Sequence, residues 1–415
     1  NRLLMPAIAY EYPDEIAAIA EGVAAFIKAE VIPRHQKNAA LFEDPRKIYD
    51  DKGAYVPKVL ELIREVRMAS AQAGYYAMSA PESIGGGGLG YLAYFVAWEQ
   101  VFRLCGSHYW LGHFMVSHWA KGPSPVLEKM TPKMKEIALP KLLSGEHSTC
   151  FALSEPGAGS DAAMIKTRAE KDGDGWRLTG SKIWITNSPY AQYAVVFAVT
   201  DPELASKRKG GISTFLVPTD SPGFKIDRLI NMFGHVGTDE AILQFDNVRI
   251  EPYQLVGELG KGFKTSMLGV GLGRVYNSAR GVGLGRWALE QAVEYTKVRE
   301  SFGKKISEYQ GVMFPLAECA MQLHAAHLMA LNVTQLLDKG HQATKELSMT
   351  KAYAVEVGKN AVDRAMQTHG AIGFTNEMHL AEAYIYLRKV NIADGSNEIL
   401  RHVISKQLLA GDLDL

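Results

Sequence analysis

The stretch from Cys150 to Asn187 reads CFALSEPGAGSDAAMIKTRAEKDGDGWRLTGSKIWITN and decides how the rest of the chain is interpreted. Its first part, Ser154 to Asp161, combines a proline, two glycines and small hydroxyl side chains. This composition lets backbone N–H groups approach an anionic ligand such as a diphosphate. Most clusters of glycine and proline are only turns, so this part alone is weak evidence for a site.

The last part of the same stretch, Thr179 to Asn187, predicts a turn that leads into a short strand. Because side chains alternate along a strand, we expect one face to carry Ile183 and Ile185 and the other to carry Trp184 and Thr186. A large flat ring and a hydroxyl group would then share one face. A tryptophan in a strand is usually part of the core, but its combination with the glycine turn is far more specific for a ligand site.

Length and composition indicate a soluble globular protein with more than one domain. The chain has 415 residues, of which 47% are apolar and 22% charged. Its 45 Lys and Arg residues balance 45 Asp and Glu residues. This balance gives no global electrostatic argument for nucleic acid or for an anionic membrane as a partner.

The three cysteines, Cys105, Cys150 and Cys319, are too few and too scattered for a disulfide framework or a metal cluster. They fit a reducing compartment, and we expect no metal. No apolar run reaches the ~20 residues of a membrane span, and the first thirty residues lack a basic-then-apolar signal pattern. We therefore expect no membrane partner and a location in the bacterial cytoplasm or the mitochondrial matrix.

The periodicity of apolar residues predicts three domains in an α+β fold. Helical spacing holds over residues 1–147, strand spacing with turn residues over 148–258, and helical spacing again over 259–415. We expect an N-terminal all-α domain, a middle β-barrel-like domain and a C-terminal four-helix bundle. The glycine run Gly85 to Gly88 follows no β-branched strand and is interpreted as a turn between helices, since a dinucleotide fingerprint requires such a strand.

SEPGAGSD followed by GSKIWITN resembles the flavin-binding middle region of the acyl-CoA dehydrogenase family, and the resemblance extends over nearly the whole chain. It implies FAD as cofactor and an acyl-CoA dehydrogenase-like fold. The implied cofactor contacts in this stretch are Phe151, Leu153 and Ser154 along the isoalloxazine, Ser160 near the diphosphate or the CoA arm, and Trp184 and Thr186 against the ring. Ser154 replaces the commoner threonine and keeps its hydroxyl.

Two C-terminal segments are similar to family patterns that bind the cofactor's adenosine-diphosphate end from a neighbouring subunit. Arg299, Phe302 and Gln310 resemble one such pattern. Gln367 and Gly370 resemble the other, in which Ala371 stands where a second glycine is usual. A helix that ends on Gly370 would explain the second segment equally well. The resemblance implies at least a dimer and predicts a homotetramer.

The segment Ala393-Asp394-Gly395-Ser396 stands where the family norm is Tyr-Glu-Gly-Thr. The resemblance therefore implies that Asp394 is the catalytic base in place of glutamate. It also implies that Gly395 and Arg274 contact the substrate, while Ser396 and Glu398 contact the flavin. Gly273 stands where some branches keep the glutamate and cannot replace it. Asp-Gly is also a common turn dipeptide that needs no catalytic explanation.

The chemistry implied is the introduction of an α,β double bond into a CoA thioester. Removal of a proton next to a thioester requires a carboxylate of raised pKa, which a pocket with little water supplies by desolvation. The expected partners are an acyl-CoA and an electron-transfer flavoprotein. Ala393 and the short acid Asp394 suggest a branched or cyclic acyl group.

Two alternatives stay open at this point. The first is another reaction on the same scaffold, by a nitroalkane-oxidase-like enzyme, a monooxygenase-like enzyme, or a reductase that runs the thioester chemistry backwards. The second is a flavin-binding protein without dehydrogenase activity, such as the alkylation-response branch linked to DNA. The neutral net charge argues against the second alternative.

Overall fold

A computed structural model describes residues 6–415, so residues 1–5 of the predicted first domain lie outside the described residues. Helices come first along the chain. Apolar residues of the first helix recur at three- and four-residue steps and are buried, as its periodicity predicts. The helices before the sheet are α1 (Asp14–Phe26), α2 (Ile32–Lys37), α3 (Ala39–Phe42), α4 (Pro57–Gln72), α5 (Tyr91–Cys105) and α6 (Pro132–Leu143).

An eight-stranded mixed sheet follows. Its strands are β1 (Thr149–Ala152), β2 (Arg168–Asp172), β3 (Gly175–Thr186), β4 (Tyr193–Val199), β5 (Ile212–Pro218), β6 (Phe224–Leu229), β7 (Glu240–Ile250) and β8 (Leu255–Val256), with the short helix α7 (Pro202–Ser206) after β4. The order in the sheet is β6-β7-β3-β2-β4-β5-β8, and β1 pairs in parallel with β4.

The strand β4 lies between two apolar clusters and contributes side chains to both. Every one of its residues is buried, because Val195 and Phe197 belong to one cluster while Ala194 and Val196 belong to the other. A strand covered on both faces reads as a continuous apolar run, as this one does. The sheet is therefore a buried platform whose central strand has no polar face.

Helices return after the sheet, which confirms the predicted succession of helical, β and helical segments. The helices are α8 (Gly262–Val298), α9 (Gln310–Asp338), α10 (Thr344–His369), α11 (Leu380–Val390) and α12 (Asn397–Leu409). A short hairpin of β9 (Glu300–Ser301) and β10 (Lys304–Lys305) lies between α8 and α9. Within this set α10 packs against α9, α11 and α12.

The described chain divides into two compact units. The first comprises the described part of Asn1–Ile32, together with Gly90–His113 and Arg274–Leu415. The second comprises Pro33–Leu89 and Phe114–Gly273. The predicted boundaries at residues 147 and 258 stay a prediction, and each unit is described by itself below.

Helix α6 and strand β7 each contain a residue whose type explains the local backbone. Thr131 caps α6 by accepting a hydrogen bond from the N–H of Met134 at 3.2 Å, as its place before a proline predicts. Strand β7 continues through Asn247, which takes a positive φ of 55° inside the strand, a conformation that asparagine tolerates.

Helices α8 and α10 approach each other closely where two glycines meet. A Cβ atom on Gly358 would lie 2.2 Å from the carbonyl oxygen of Gly281, and one on Gly281 would lie 2.3 Å from the carbonyl oxygen of Ala354. No real Cβ atom tolerates such a distance to backbone, so this contact admits only glycine.

We expect Gly358→Ala to lower the free energy of unfolding by about 1–3 kcal/mol, because the added methyl group forces the two helices apart. Chemical denaturation measures the change. The matched control is Gly311→Ala on α9, where a Cβ atom would meet nothing within 4 Å. The control should be neutral or stabilise by up to about 1 kcal/mol, and equal losses in the two variants would contradict the close approach.

Candidate active site

The end of β3 does not alternate regularly, so the predicted placement of Ile183 and Ile185 on one face is wrong. The pairing of β3 with β7 shifts register between Lys182 and Ile185, and Trp184 takes a positive φ of 63° there. Such a bulge inserts one extra residue and redirects the side chains that follow. Lys182 and Ile185 are buried, Ile183 is half-buried, and the ring of Trp184 is 55% exposed.

A buried lysine joins this bulge to the glycine-rich turn. Lys182 is 0% exposed, and its Nζ donates to the carbonyl oxygen of Leu153 at 2.8 Å and to Oε1 of Glu155 at 2.9 Å. The N–H of Ile183 donates to the carbonyl oxygen of Ser154 at 3.0 Å. The two signals that are separate in the sequence are thus one hydrogen-bonded assembly.

Glu155 is the acceptor at the centre of this assembly. Besides Lys182, it accepts the backbone N–H of Lys166 at 2.6 Å and that of Thr167 at 2.9 Å. Burial by itself would raise the pKa of Glu155, but Lys182 and these hydrogen bonds hold it below its ordinary value. Burial lowers the pKa of Lys182 to about 8, against the opposing effect of Glu155. We conclude that the two form an ion pair at neutral pH.

The other predicted cofactor residues of this unit lie around the assembly. Leu153 is buried and Ser154 half-buried, whereas Ser160 is exposed. The ring of Phe151 lies 4.9 Å from those of both Trp119 and Phe197, so it packs as part of the core. Thr186 is half-buried, and its Oγ1 lies 3.5 Å from Oε1 of Glu240.

The turn itself leaves room for a ligand. A Cβ atom added at Gly157 or at Gly159 would meet nothing within 4 Å, and both residues are exposed. Backbone with open space beside it and the exposed ring of Trp184 fit a flat cofactor that carries phosphates. The open backbone and the exposed ring of this unit are therefore compatible with FAD.

The candidate base lies in the other unit, on the loop between α11 and α12. Asp394 takes a positive φ of 56° and the following Gly395 one of 92°. Aspartate is among the few side chains that adopt this left-handed region with any frequency, and glycine adopts it freely. The Asp-Gly dipeptide is therefore a turn, as its sequence indicates, and the turn presents the carboxylate.

A second buried lysine holds this loop. Lys351 on α10 is 0% exposed, and its Nζ donates to the carbonyl oxygens of Ala393 at 2.9 Å and of Gly395 at 2.8 Å. It also donates to the carbonyl oxygen of Val390, at the end of α11. Burial lowers the pKa of Lys351 to about 8, although Asp394 acts in the opposite direction. One ammonium group thereby fixes the backbone on both sides of Asp394.

The carboxylate has a side-chain partner on α8. Nδ2 of Asn277 donates to Oδ2 of Asp394 at 2.6 Å. Removal from water raises the pKa of Asp394 above its ordinary value of 3.8, against the opposing effects of Lys351, Asn277, Arg280 and Arg274. A raised pKa on a fixed carboxylate is what a general base for carbon acids requires.

Arg274 lies against the same loop, since a Cβ atom on Gly395 would be 3.3 Å from its guanidinium. Burial lowers the pKa of Arg274 while Asp394 raises it. The side chain of Ser396 accepts the N–H of Ile399 at 3.3 Å and caps α12, whose first turn carries the exposed Glu398.

The residues predicted to reach a neighbouring subunit are all exposed. They are Arg299, Phe302, Gln310, Gln367 and Gly370. Phe302 is 95% exposed with a φ of 50°, and Gly370 ends α10 with a φ of 66°. The alternative interpretation of Gly370 as a helix end is thus confirmed as structure. The contact of these residues with FAD stays a prediction.

Sequence reasoning missed four residues: Glu155 and Lys182 in one unit, and Asn277 and Lys351 in the other. Glu155 lies in the motif SEPGAGSD and Lys182 in the motif GSKIWITN. A lysine in a strand is usually solvated, so its presence in the sequence does not indicate burial. Asn277 is 117 residues from Asp394 along the chain, so no local pattern could have indicated their contact.

Three family models match the chain in succession. The N-terminal domain of acyl-CoA dehydrogenase matches residues 13–146, the middle domain residues 150–248, and the C-terminal domain residues 260–409. This chain belongs to the acyl-CoA dehydrogenase family. It is accordingly an oxidoreductase with acyl-CoA dehydrogenase function.

Relatives with named activities align with most of this chain. The mitochondrial short-chain specific acyl-CoA dehydrogenase of Bos taurus is 37% identical over 85% of this chain and 86% of its own length. The 3-(aryl)acrylate reductase of Clostridium sporogenes is 33% identical, with 85% and 92% covered. The caffeyl-CoA reductase-Etf complex subunit CarC of Acetobacterium woodii is 32% identical, with 84% and 90% covered.

Solved structures agree with this assignment. The butyryl-CoA dehydrogenase of Megasphaera elsdenii superposes with a TM-score of 0.81 at 28% identity and covers 97% of this chain and 100% of its own.

Among the helices of residues 6–415, none is long and apolar enough to cross a bilayer. The same residues contain no group of three or more His, Cys, Asp or Glu side chains that could hold a metal ion.

We expect Lys182→Met to lower the free energy of unfolding by about 3–5 kcal/mol, because it leaves Glu155 buried without its cation. The double variant Lys182→Met with Glu155→Gln should recover part of the loss. Chemical denaturation measures both. The matched control is Lys207→Met, which removes an exposed partner of Glu203 and should cost under about 1 kcal/mol. A loss for Lys182→Met no larger than the control's would show that the buried pair stabilises nothing.

Proposed function

We propose that this enzyme is FAD-dependent and that Asp394 removes the α-proton of an acyl-CoA thioester. The observation that carries the proposal is a carboxylate of raised pKa on a backbone fixed by Lys351, with Asn277 hydrogen-bonded to one of its oxygens. General-base catalysis needs both a raised pKa and a fixed position.

The residues that would hold FAD are those that the family resemblance implies in both units. The chemistry that bound FAD supplies is acceptance of the β-hydrogen as a hydride. The chain's own residues bind, orient and deprotonate. The proposed cofactor contacts are Phe151, Leu153, Ser154, Ser160, Trp184, Thr186, Arg299, Phe302, Gln310, Gln367, Gly370, Ser396 and Glu398.

Asp394 would have two roles in the same step. Its carboxylate takes the α-proton, and its backbone N–H donates to the thioester carbonyl as negative charge develops on that oxygen. Arg274 and Gly395 are proposed to line the acyl-CoA channel beside it. The hold of Lys351 on the carbonyl oxygens of Ala393 and Gly395 supports this dual role, because it fixes the peptide groups on both sides of the base.

The substrate is proposed to carry a branched, cyclic or aryl group near the α-carbon. Aspartate is one methylene shorter than glutamate, so its carboxylate ends ~1.5 Å farther from a substrate carbon on the same backbone. A bulkier acyl group would fill that space, and the small Ala393 leaves room beside it. The similarity to a 3-(aryl)acrylate reductase supports a ring-bearing acyl group.

A second candidate is the reverse reaction, the reduction of an α,β-unsaturated acyl-CoA. Two of the relatives are named reductases, which favours this direction. The same Asp394 would then return a proton to the α-carbon. Oxidised enzyme mixed with a saturated acyl-CoA, and reduced enzyme mixed with the α,β-unsaturated acyl-CoA of the same skeleton, distinguish the two directions by their relative rates.

The electron-transfer flavoprotein is the proposed redox partner. One relative is named as a subunit of a complex with Etf, which supports this choice.

A homotetramer is proposed as the assembly, because the exposed Arg299, Phe302 and Gln367 resemble residues that complete the cofactor site of a neighbouring chain. Size-exclusion chromatography with light scattering tests the assembly. The visible absorbance of the purified protein tests the cofactor, since a protein with bound FAD is yellow.

We expect Asp394→Asn to bind FAD normally but to lower the rate of anaerobic flavin reduction by roughly 10²- to 10⁴-fold, since the amide cannot accept the proton. Because only the ionised carboxylate is a base, the wild-type rate should fall as pH falls through the raised pKa of Asp394. Stopped-flow absorbance measures both effects. A variant that reduces its flavin as fast as the wild type would show that Asp394 is only a turn residue.

The acyl group is tested by comparing kcat/KM for straight, branched, alicyclic and aryl-substituted acyl-CoAs. We expect ring-bearing or branched substrates to be best, and we expect Asp394→Glu to lower their turnover by about 10²-fold because the longer acid collides with them. Straight saturated chains serve as the control. If straight chains are best for the wild type, the argument from the shape of the pocket is wrong.

A further inference from the structure

The amide of Asn277 is in an unusual environment for an asparagine in the interior of a helix. The residue is 1% exposed, and its Nδ2 donates to Asp394 at 2.6 Å. Its Oδ1 is buried and accepts no hydrogen bond within residues 6–415. A buried amide that satisfies only one of its polar atoms is costly, so a functional reason for retaining it is expected.

We propose that Asn277 is a positioning residue for the catalytic base: it fixes Oδ2 of Asp394 and leaves Oδ1 to receive the substrate proton. This inference rests on the proposed function of Asp394. Within the described part of the chain, Oδ1 of Asp394 accepts no hydrogen bond, so it is the oxygen with a lone pair for the reaction.

The need for such a partner follows from the shape of the loop. Lys351 fixes the backbone at Ala393 and Gly395, but it contacts only carbonyl oxygens and leaves the Asp394 side chain to rotate. A side chain that can rotate about its Cα–Cβ bond moves its carboxylate by more than 1 Å, which is enough to lower a rate by about 10²-fold. The hydrogen bond from α8 removes this freedom.

Positive charge alone would not position the carboxylate in this way. Several charged or titratable groups surround Asp394, but Asn277 is the one that donates a hydrogen bond to it among the residues described. Coulombic attraction is less directional than a hydrogen bond and does not select one oxygen. The surrounding groups are Arg274, Tyr276 and Arg280 on α8 and Lys351 on α10. Lys389 on α11 acts on Tyr276, and Glu398 on α12 acts on Lys351.

An amide also suits both protonation states of the base. When Asp394 is ionised, Nδ2 donates to it, as observed. After proton transfer to Oδ1, the Oδ2 atom of the neutral acid still accepts a hydrogen bond, so its contact with Nδ2 persists. An aliphatic side chain cannot donate in either state, and a lysine or arginine would add a charge that lowers the pKa of the base.

The test is Asn277→Leu, which keeps the approximate volume and removes the hydrogen bond. We expect the limiting rate of anaerobic flavin reduction to fall by about tenfold or more, while the dissociation constant for acyl-CoA stays within about twofold. The acidic limb of the rate against pH should move to higher pH, because the ionised carboxylate loses its donor. A merely structural residue would not change the pH profile.

The matched control is Ser278→Ala on the same helix. Ser278 is also 1% exposed, and its hydroxyl donates to the carbonyl oxygen of Arg274 at 2.7 Å without touching Asp394. We expect it to leave both the rate and the pH profile unchanged. If Asn277→Leu fails to fold, Asn277→Asp keeps the shape and should move the acidic limb to higher pH still, since two neighbouring carboxylates then share one proton. An unchanged profile in a folded Asn277 variant overturns the inference.

A double-mutant cycle with Asp394→Glu sharpens the result. The longer acid places its carboxylate ~1.5 Å away, out of register with the amide. Asn277→Leu should therefore cost much less in the Asp394→Glu background than in the wild type. Equal costs in the two backgrounds overturn the inference. Full activity of Asp394→Asn would instead overturn the proposed function itself, so the two failures are distinguishable.

Discussion

Each of the two units contains a fully buried ammonium group, and the candidate site residues around it depend on its hydrogen bonds. Lys182 ties the glycine-rich turn to the bulge in β3, and Lys351 ties the end of α11 to the loop that carries Asp394. Burying an ammonium group costs several kcal/mol in desolvation unless its hydrogen bonds are all satisfied. Here that cost is offset by carbonyl oxygens and, for Lys182, by a carboxylate.

The two lysines differ in the groups to which they donate hydrogen bonds. Lys182 neutralises Glu155 and leaves a nearly neutral, hydrogen-bonded pair two residues before the exposed Trp184 along β3. Lys351 uses its three N–H bonds on three carbonyl oxygens, so its positive charge reaches Asp394 only through space. The first lysine therefore acts as a structural ion pair, whereas the second adds a favourable field at the base without occupying either of its oxygens.

The sequence predicts the succession of helices, strands and helices well, because apolar periodicity and helix ends are local properties. Thr131 and Gly370 mark helix ends for reasons that lie within a few residues of each. The bulge at Trp184 was not predictable, since it depends on the pairing of β3 with β7. The partners of Asp394 were not predictable either, because Asn277 and Lys351 meet it only through tertiary packing. For Asp394 itself, the turn and the catalytic interpretations are compatible, since the left-handed backbone that makes the turn also presents the carboxylate.

The same contacts have a consequence for the order in which the molecule folds. The hydrogen bond from Asn277 closes 117 residues of chain, and that from Lys351 to Ala393 closes 42. Contacts between such distant residues cost closure entropy before they return any stability, so they tend to form late. A partly folded species with its helices intact can therefore lack the loop that carries Asp394. Such a species would have nearly the full helix content in circular dichroism and would still be inactive, so recovery of secondary structure on refolding would precede recovery of catalysis.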